Sequence, residues 1–288
     1  MMTLTSSNYH SPAANSEYWS VSLFKAFDKC EAAGLAQVRG QYEREETDAL
    51  LIGSYVDAYF TGDIDEFVGE HADVMFKKNG ELYAKYEHAN KVINTVECQP
   101  LMMEYLTGEH QKIFTADLFG VPWKIKTDVY SGPLMDKNET ESRGRIVDLK
   151  CVKDFKPIYE EGFGYRSWIE YWGYDIQGAV YQKVVEQATG ERLPFYIVAV
   201  TKEKVPDVAV IEIPQHVLDT ALKVVEAKID RFDLVKTGEI PPERCGKCEW
   251  CKQTKILTVP SVYGDDEETV TFVADGIPYH TFKVKGEN

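Results

Sequence analysis

Two carboxylates and one lysine stand out by their spacing. Asp128 lies in Lys126-Thr127-Asp128-Val129-Tyr130; Asp148 and Lys150 lie in Ile146-Val147-Asp148-Leu149-Lys150. Both segments read as β-strands, with alternating or β-branched apolar residues. Along the second strand, Asp148 and Lys150 share one face because side chains repeat every two residues. Leu149 points the other way into the core, which leaves its backbone carbonyl free to face a metal. This set suits metal-assisted hydrolysis of a phosphodiester. Hard ions such as Mg2+ or Mn2+ take carboxylate and carbonyl oxygens, make water nucleophilic and neutralise a leaving oxygen. Asp128, Asp148 and the Leu149 carbonyl are therefore candidate ligands. Lys150 is the candidate catalytic cation, orienting the water and favouring its hydroxide form.

A following segment reads as a helix and carries Gln177 and Tyr181 four residues apart, on one face. They can hold a scissile phosphate or position DNA against the metal. The same stretch begins with Tyr165, Arg166, Trp168, Tyr171, Trp172 and Tyr174. Exposed aromatics beside a basic residue can stack bases or wedge strand ends, although core packing is their commoner role. Each acidic residue also has an ordinary reading. Asp128 could end a strand in a turn, and Asp148 with Lys150 could be a surface ion pair of little consequence. Jointly that is less economical, because Ile146, Val147 and Leu149 mark a buried strand, where Asp and Lys need partners.

The elements that must hold these residues follow from pattern. Residues 1–16 read as loose, with Ser, Asn and Pro and little apolar content. Ser20 or Ser22 can cap a helix bearing Leu23, Phe24 and Phe27. A second amphipathic helix surrounds Gly53 and Asp57, a third runs from Leu82 to Val96, and Pro100 opens a short fourth. His110–Ala116, Val121–Tyr130 and Arg145–Cys151 read as strands, with Phe119-Gly120 as the first turn. Ser131 to Gly144 reads as a polar loop, and Ser167–Gln187 as one long helix. Phe195–Thr201 and Val208–Ile213 read as strands, and Gln215–Lys236 as a helix ended by Pro241-Pro242. Residues 268–284 alternate like a hairpin turning at Asp275-Gly276. The order predicts an α/β fold with helices packed on a mixed central sheet.

At 288 residues with 44% apolar content, the chain can build a substantial core. The reading is one domain over 1–288 with a core at about 50–201, a helical N-terminal region over 17–107, and C-terminal extensions. No basic stretch leads into an apolar run, as a secretory leader would require, and no apolar stretch is long enough to span a membrane. Six cysteines, three of them crowded together, point to a reduced compartment, and the expected location is the cytoplasm. A net charge of −15 argues against a protein that coats nucleic acid generally. Locally, Lys112 to Arg166 holds ten Lys/Arg against nine Asp/Glu. A near-neutral groove on an acidic body suits an enzyme that engages and releases a polyanion. There is no Gly-rich phosphate loop, metalloprotease helix or nucleophile elbow.

The ordered set Gly53-x-x-x-Asp57, Asp128, Asp148-x-Lys150 and Gln177-x-x-x-Tyr181 resembles the PD-(D/E)XK nuclease superfamily. It is most similar to the RecB-type branch and to RecE-like phage and prophage exonucleases, over roughly residues 50–201. The resemblance implies a restriction-endonuclease-like core. Asp128 and Asp148 would be metal ligands, Lys150 catalytic, and Gln177 and Tyr181 substrate-positioning. It further implies 5′-to-3′ degradation of linear double-stranded DNA for phage-type recombination, a single-strand annealing protein as partner, and a ring-like homo-oligomer. Asp57 departs from the His usual in that branch but remains an oxygen donor able to bind the metal. Gln111 stands where some members have an acidic residue. Asp148 replaces the more common Glu.

Cys245, Cys248 and Cys251 put three thiolates within seven residues, a pattern for soft metal ions. A fourth ligand is needed, and Cys30 at the end of the first helix is the best candidate. Some RecB-type nucleases resemble this layout, with one early and three late cysteines around a [4Fe–4S] cluster; Zn2+ with four thiolates is the rival. Cys98 and Cys151 read as ordinary buried cysteines. Three other readings of the chain stand beside an exonuclease. One is a structure- or sequence-specific endonuclease on this fold, one a non-catalytic DNA-binding module, and one a thiolate-metal redox or sensor protein.

Overall fold

The structure is a computed structural model describing residues 2–43, 45–132, 134–135, 141–142, 144–258, 270–274 and 277–282. Helices α1 (Pro12–Glu17), α2 (Val21–Lys29), α3 (Glu31–Val38), α4 (Asp48–Thr61), α5 (Ile64–Met75), α6 (Ala84–Glu97) and α7 (Pro100–Tyr105) come first. Strands β1 (Glu109–Leu118) and β2 (Val121–Ser131) follow, then the short pair β3 (Leu134–Met135) and β4 (Glu141–Ser142). After β5 (Arg145–Val152) come the hairpin strands β6 (Ile158–Glu160) and β7 (Gly164–Arg166), then α8 (Trp168–Tyr171) and α9 (Tyr174–Thr189). Next are β8 (Phe195–Thr201), β9 (Val208–Glu212), α10 (Gln215–Thr237), α11 (Glu249–Gln253), and the paired strands β10 (Val270–Ala274) and β11 (Ile277–Phe282). The expected turn at Asp275-Gly276 lies outside the described residues. Among the described residues no helix is long and apolar enough to cross a membrane.

The chain divides into two compact units, Met1–Val21 with Arg44–Lys228, and Ser22–Glu43 with Ile229–Asn288. The first contains a five-stranded mixed sheet in the order β1-β2-β5-β8-β9. All neighbours are antiparallel except β5 and β8, which run parallel with Ile146 opposite Phe195 and Lys150 opposite Ala199. A parallel pair needs a long crossover, and here it is the segment holding β6, β7, α8 and α9. Covered strands read as unbroken apolar runs, which is why β5 and β8 are so rich in Val and Ile. Phe119 and Gly120, both with positive φ, make the two-residue turn joining β1 to β2.

One face of the sheet presents Val129, Val147, Leu149, Val198 and Val200 to Tyr55 and Val56 of α4 and to Tyr86, Ala89, Val92, Ile93 and Val96 of α6. Residues of the opposite parity, including Ile146, Asp148, Lys150 and Phe195, face α9. Close approach of that helix requires Gly178, where a Cβ would come within 2.5 Å of the Phe195 ring and 2.9 Å of Leu218.

Several expectations are corrected. The single helix over 167–187 is broken at Gly173, whose φ of +62° interrupts the helical path, giving α8 and α9. Tyr165 and Arg166 lie on strand β7, not on a helix. Residues 1–16 are not loose. Ser11 caps α1 by accepting the Ala14 N–H, Pro12 sits at its start, and Tyr9 and Ala14 are buried. Cys98 is exposed and Cys151 half-buried, so neither is a fully buried core cysteine; burial pushes the Cys151 thiol up to about 11.

Gly178→Val should place a branched side chain against Phe195 and Leu218. Overpacking of this kind costs about 1–3 kcal/mol, so the melting temperature by circular dichroism should fall by roughly 2–12 °C. An unchanged melting temperature would show that α9 does not depend on this contact.

Candidate active site and thiolate cluster

β2 and β5 pair at Ser131–Arg145, Tyr130–Ile146 and Val129–Val147. One step further along this register brings Asp128 opposite Asp148. There the Asp128 side chain takes over from the ladder, with Oδ2 accepting the Leu149 N–H at 2.8 Å. The N–H and C=O of one strand residue point to the same side, so the Leu149 carbonyl also faces the β2 side. Gln111, in the matching register position of β1, has a φ of +52°, and the paired positions step from His110–Val129 to Lys112–Thr127 without it. The strained backbone therefore sits beside Asp128.

Asp148 is 1% exposed. Its Oδ1 accepts a hydrogen bond from Gln177 Nε2 at 2.6 Å. Its Oδ2 lies 2.5 Å from Lys150 Nζ, an ionic contact. This buried oxygen receives no directed hydrogen bond among the described residues. A carboxylate oxygen fixed in place and buried, with lone-pair capacity beyond one lysine contact, is what an oxygen-seeking cation requires. Asp128 and Asp57 add two further carboxylates whose charges act on this group.

The electrostatics show crowding. Burial pushes Asp57 up to about 7; Asp148 adds repulsion, while Lys150 and Lys126 partly offset it. Asp128 is held well above the usual carboxylate range by burial, then by Asp57 and Asp148, against Lys150 and the Leu149 N–H. For Lys150, burial opposes the charge, but Asp148, Asp128, Asp57 and Tyr174 outweigh it and raise its pKa. The lysine is thus a firmly charged cation at neutral pH.

Every sequence-derived residue of this set gathers here. Gln177 holds Asp148, and the Tyr181 hydroxyl donates to the Lys126 carbonyl at 3.1 Å. Two residues without an assigned role also belong. Lys150 Nζ lies 5.1 Å from the centre of the Tyr174 ring. Lys126 acts electrostatically on Asp57 and lies 5.6 Å from the Tyr9 ring. Helical spacing could have found the first, since Tyr174 precedes Gln177 by three and Tyr181 by seven. Strand alternation could have found the second, two residues before Asp128.

The second unit assembles the four expected cysteines. The sulfurs of Cys30, Cys245, Cys248 and Cys251 all lie within 4.8 Å of one another. Cys30 and Cys251 are 3.6 Å apart, and Cys245 and Cys251 3.9 Å. Backbone N–H groups of Cys248 and Cys251 donate to the sulfurs of Cys245 and Cys248. Hydrogen bonding from Cys251 lowers Cys30 to about 4, favouring the thiolate form that binds metal. Buried Glu31, next to Cys30, anchors the segment: it accepts Arg231 Nε at 2.7 Å and the Glu243 N–H at 2.7 Å.

Comparison with known proteins agrees with this geometry. Residues 20–254 match the family described as a PDDEXK-like domain of unknown function (DUF3799). The crystal structure of a "Putative exonuclease" from Eubacterium rectale is similar, with a TM-score of 0.85 and 40% identity over 92% of this chain and 98% of that one. No curated protein matches. The chain belongs to the PDDEXK-like family and has the mixed, helix-flanked sheet of the PD-(D/E)XK nuclease superfamily. Fold, family and structural neighbour together support a nuclease.

Asp57→Asn should stabilise the chelator-treated protein. Asp57, with its pKa raised to about 7, contributes stability in its protonated form, and that contribution is lost as pH rises through 7. The gain from Asn should therefore be larger at pH 8 than at pH 5. About 1 kcal/mol or more corresponds to a rise of roughly 2–4 °C in melting temperature. Equal or lower stability at pH 8 would contradict the crowding of charge.

Proposed function

We propose that the chain is a divalent-metal-dependent deoxyribonuclease that degrades linear double-stranded DNA from an end. The observation that carries this reading is the gathering of three carboxylates, Asp148, Asp128 and Asp57, around Lys150, with the buried Asp148 Oδ2 in ionic contact with that lysine. Asp128, Asp148 and the Leu149 carbonyl would hold Mg2+ or Mn2+, with Asp57 as a further oxygen ligand. The ion would supply Lewis-acid activation of water and charge neutralisation on the leaving oxygen. Gln177 fixes the orientation of Asp148, so Oδ2 stays aimed into the site. Lys150, fully charged, orients the attacking water and stabilises negative charge developing on the phosphate. Tyr181 and Gln177 set the face of α9 against which the scissile phosphate is positioned.

The exonuclease reading draws on the name of the Eubacterium rectale neighbour, and its finer points rest on the resemblance to RecE-like enzymes alone. They are 5′-to-3′ polarity, service in phage-type recombination, an annealing protein as partner and a homo-oligomer.

The thiolate cluster in this reading is structural and holds one tetrahedral ion, Zn2+. Zn–S bonds of about 2.3 Å put the sulfurs of a tetrahedron roughly 3.8 Å apart. Two of the separations, 3.6 and 3.9 Å, lie close to that spacing, and all four sulfurs lie within 4.8 Å of one another. A [4Fe–4S] cube holds its thiolates further apart, so these separations favour Zn2+ over the cluster in this reading.

The purified protein in Mg2+ should shorten end-labelled linear duplex and leave covalently closed circles intact. Lys150→Ala should retain DNA binding and lower the cleavage rate by about 10²–10³-fold. Cutting of circles would indicate an endonuclease, and absence of any Lys150-dependent cleavage would indicate a binding module. Elemental analysis should give one zinc per chain, lost equally in Cys30→Ser and Cys248→Ser. Iron with inorganic sulfide, or retention of metal in Cys30→Ser alone, would refute the four-thiolate zinc site.

A further inference from the structure

The crossover between the catalytic strand β5 and helix α9 carries an aromatic hairpin that the chemistry above does not use. Tyr159, Phe163 and Tyr165 are 64%, 74% and 78% exposed. Tyr159 and Tyr165 are direct cross-strand partners, so their rings share one face of the β6–β7 ribbon, with centroids 5.6 Å apart and planes at 70°. On the other face Arg166 pairs with Glu160 at 2.6 Å and ties the two strands together. The Arg166 guanidinium also lies 5.5 Å from the Phe163 ring. Gly162 and Gly164, with φ of +85° and +81°, shape the tip, and a Cβ at either would meet nothing within 4 Å. The tip therefore stands clear of packing. Its root is fixed, because Phe155 stacks on buried Trp168 at 5.4 Å.

Three largely exposed rings carry a hydration cost that a monomeric protein ordinarily avoids. Their placement indicates what covers them. Tyr159 follows Lys150 by nine residues and Arg166 precedes Gln177 by eleven, so the ribbon is continuous with both elements that build the site. Exposed Lys153 and Lys156 lie at its root and suit the phosphates of a strand. The exposed apolar surface is almost wholly aromatic, which fits the flat faces of bases better than the mixed aliphatic surface of a protein partner.

We propose that the β6–β7 hairpin is a base-stacking platform on which Tyr159 and Tyr165 seat bases of an unpaired strand at a DNA end. This rests on the nuclease reading for its substrate, yet it can be tested without cleavage. Binding of fluorescein-labelled oligothymidine and of a blunt duplex is measured by anisotropy, with Ca2+ replacing Mg2+. The Tyr159→Ala/Tyr165→Ala double variant should bind oligothymidine about tenfold or more weakly, with blunt-duplex affinity changed less than about threefold. Tyr159→Phe/Tyr165→Phe, which keeps both rings, should bind as the native chain does. The exposed positions predict an unchanged melting temperature; if the double alanine variant fails to fold, the two single alanine variants, each expected to lose part of the affinity, decide the matter.

Native-like oligothymidine binding by the alanine variants would overturn the proposal. So would an equal loss on blunt duplex, or a change confined to the oligomeric mass in sedimentation, which would make the patch a protein interface. Failure of the native chain to cut DNA would remove the nuclease reading while leaving a ring-dependent loss of oligothymidine binding in force.

Discussion

Everything in the first unit answers to one constraint: a carboxylate placed inside the central strand of a sheet. Asp148 is almost wholly removed from water, and an uncompensated charge there costs several kcal/mol. Its compensation comes from named groups, Gln177 on one oxygen and Lys150 on the other. Gln177 reaches it only because α9 lies close on the sheet, and that closeness depends on Gly178. Lys150 reaches it because the two lie two positions apart on one strand, on the same face. Asp128 approaches because β2 leaves the ladder after Val129, letting its side chain bind the Leu149 N–H instead.

The compensation is incomplete in a directed way. Asp57 is pushed up by burial and by Asp148, and Asp128 by burial, Asp57 and Asp148, while Lys150 is shared among all three acids. A fold selected for stability alone would not retain such an arrangement, because well-packed apolar residues would be at least as stable. A cation held by these carboxylates would relieve it. The second unit meets a different need. Cys30 and Cys251 are 221 residues apart, and four thiolates converge on a small cluster of Ala32, Ala33, Tyr42 and Trp250. An ion held there would tie these distant segments together and add to the stability of the unit.

The chemistry was legible in the sequence because it obeys short-range periodicity. Asp148 and Lys150 at two-residue spacing, and Gln177 and Tyr181 at four, declare a shared face before any tertiary fold is known. Cys30 was legible for another reason: three clustered thiolates demand a fourth. The hidden features depend on single backbone conformations or distant contacts. Gly173 in the left-handed region splits what reads as one helix, and Tyr165, at the start of the aromatic run, lies on a hairpin turning at Gly162 while Trp168 and Tyr171 stay on α8. The N-terminal helix is held in place by Tyr9, whose carbonyl accepts the buried Lys124 ammonium and whose ring lies 4.7 Å from it, a contact spanning more than a hundred residues. The left-handed φ of Gln111 beside Asp128 has no signature in residue type at all.

The central claim is that the buried acids form a cation site, and calorimetric titration of Mn2+ tests it without any assay of cleavage. The native protein, stripped of loosely held metal, should bind Mn2+ with measurable heat. Asp128→Asn should weaken that binding by about tenfold or more, the effect of losing roughly 1.4 kcal/mol or more of ligand interaction. Equal affinity in the two proteins, or no binding by the native chain, would contradict the account.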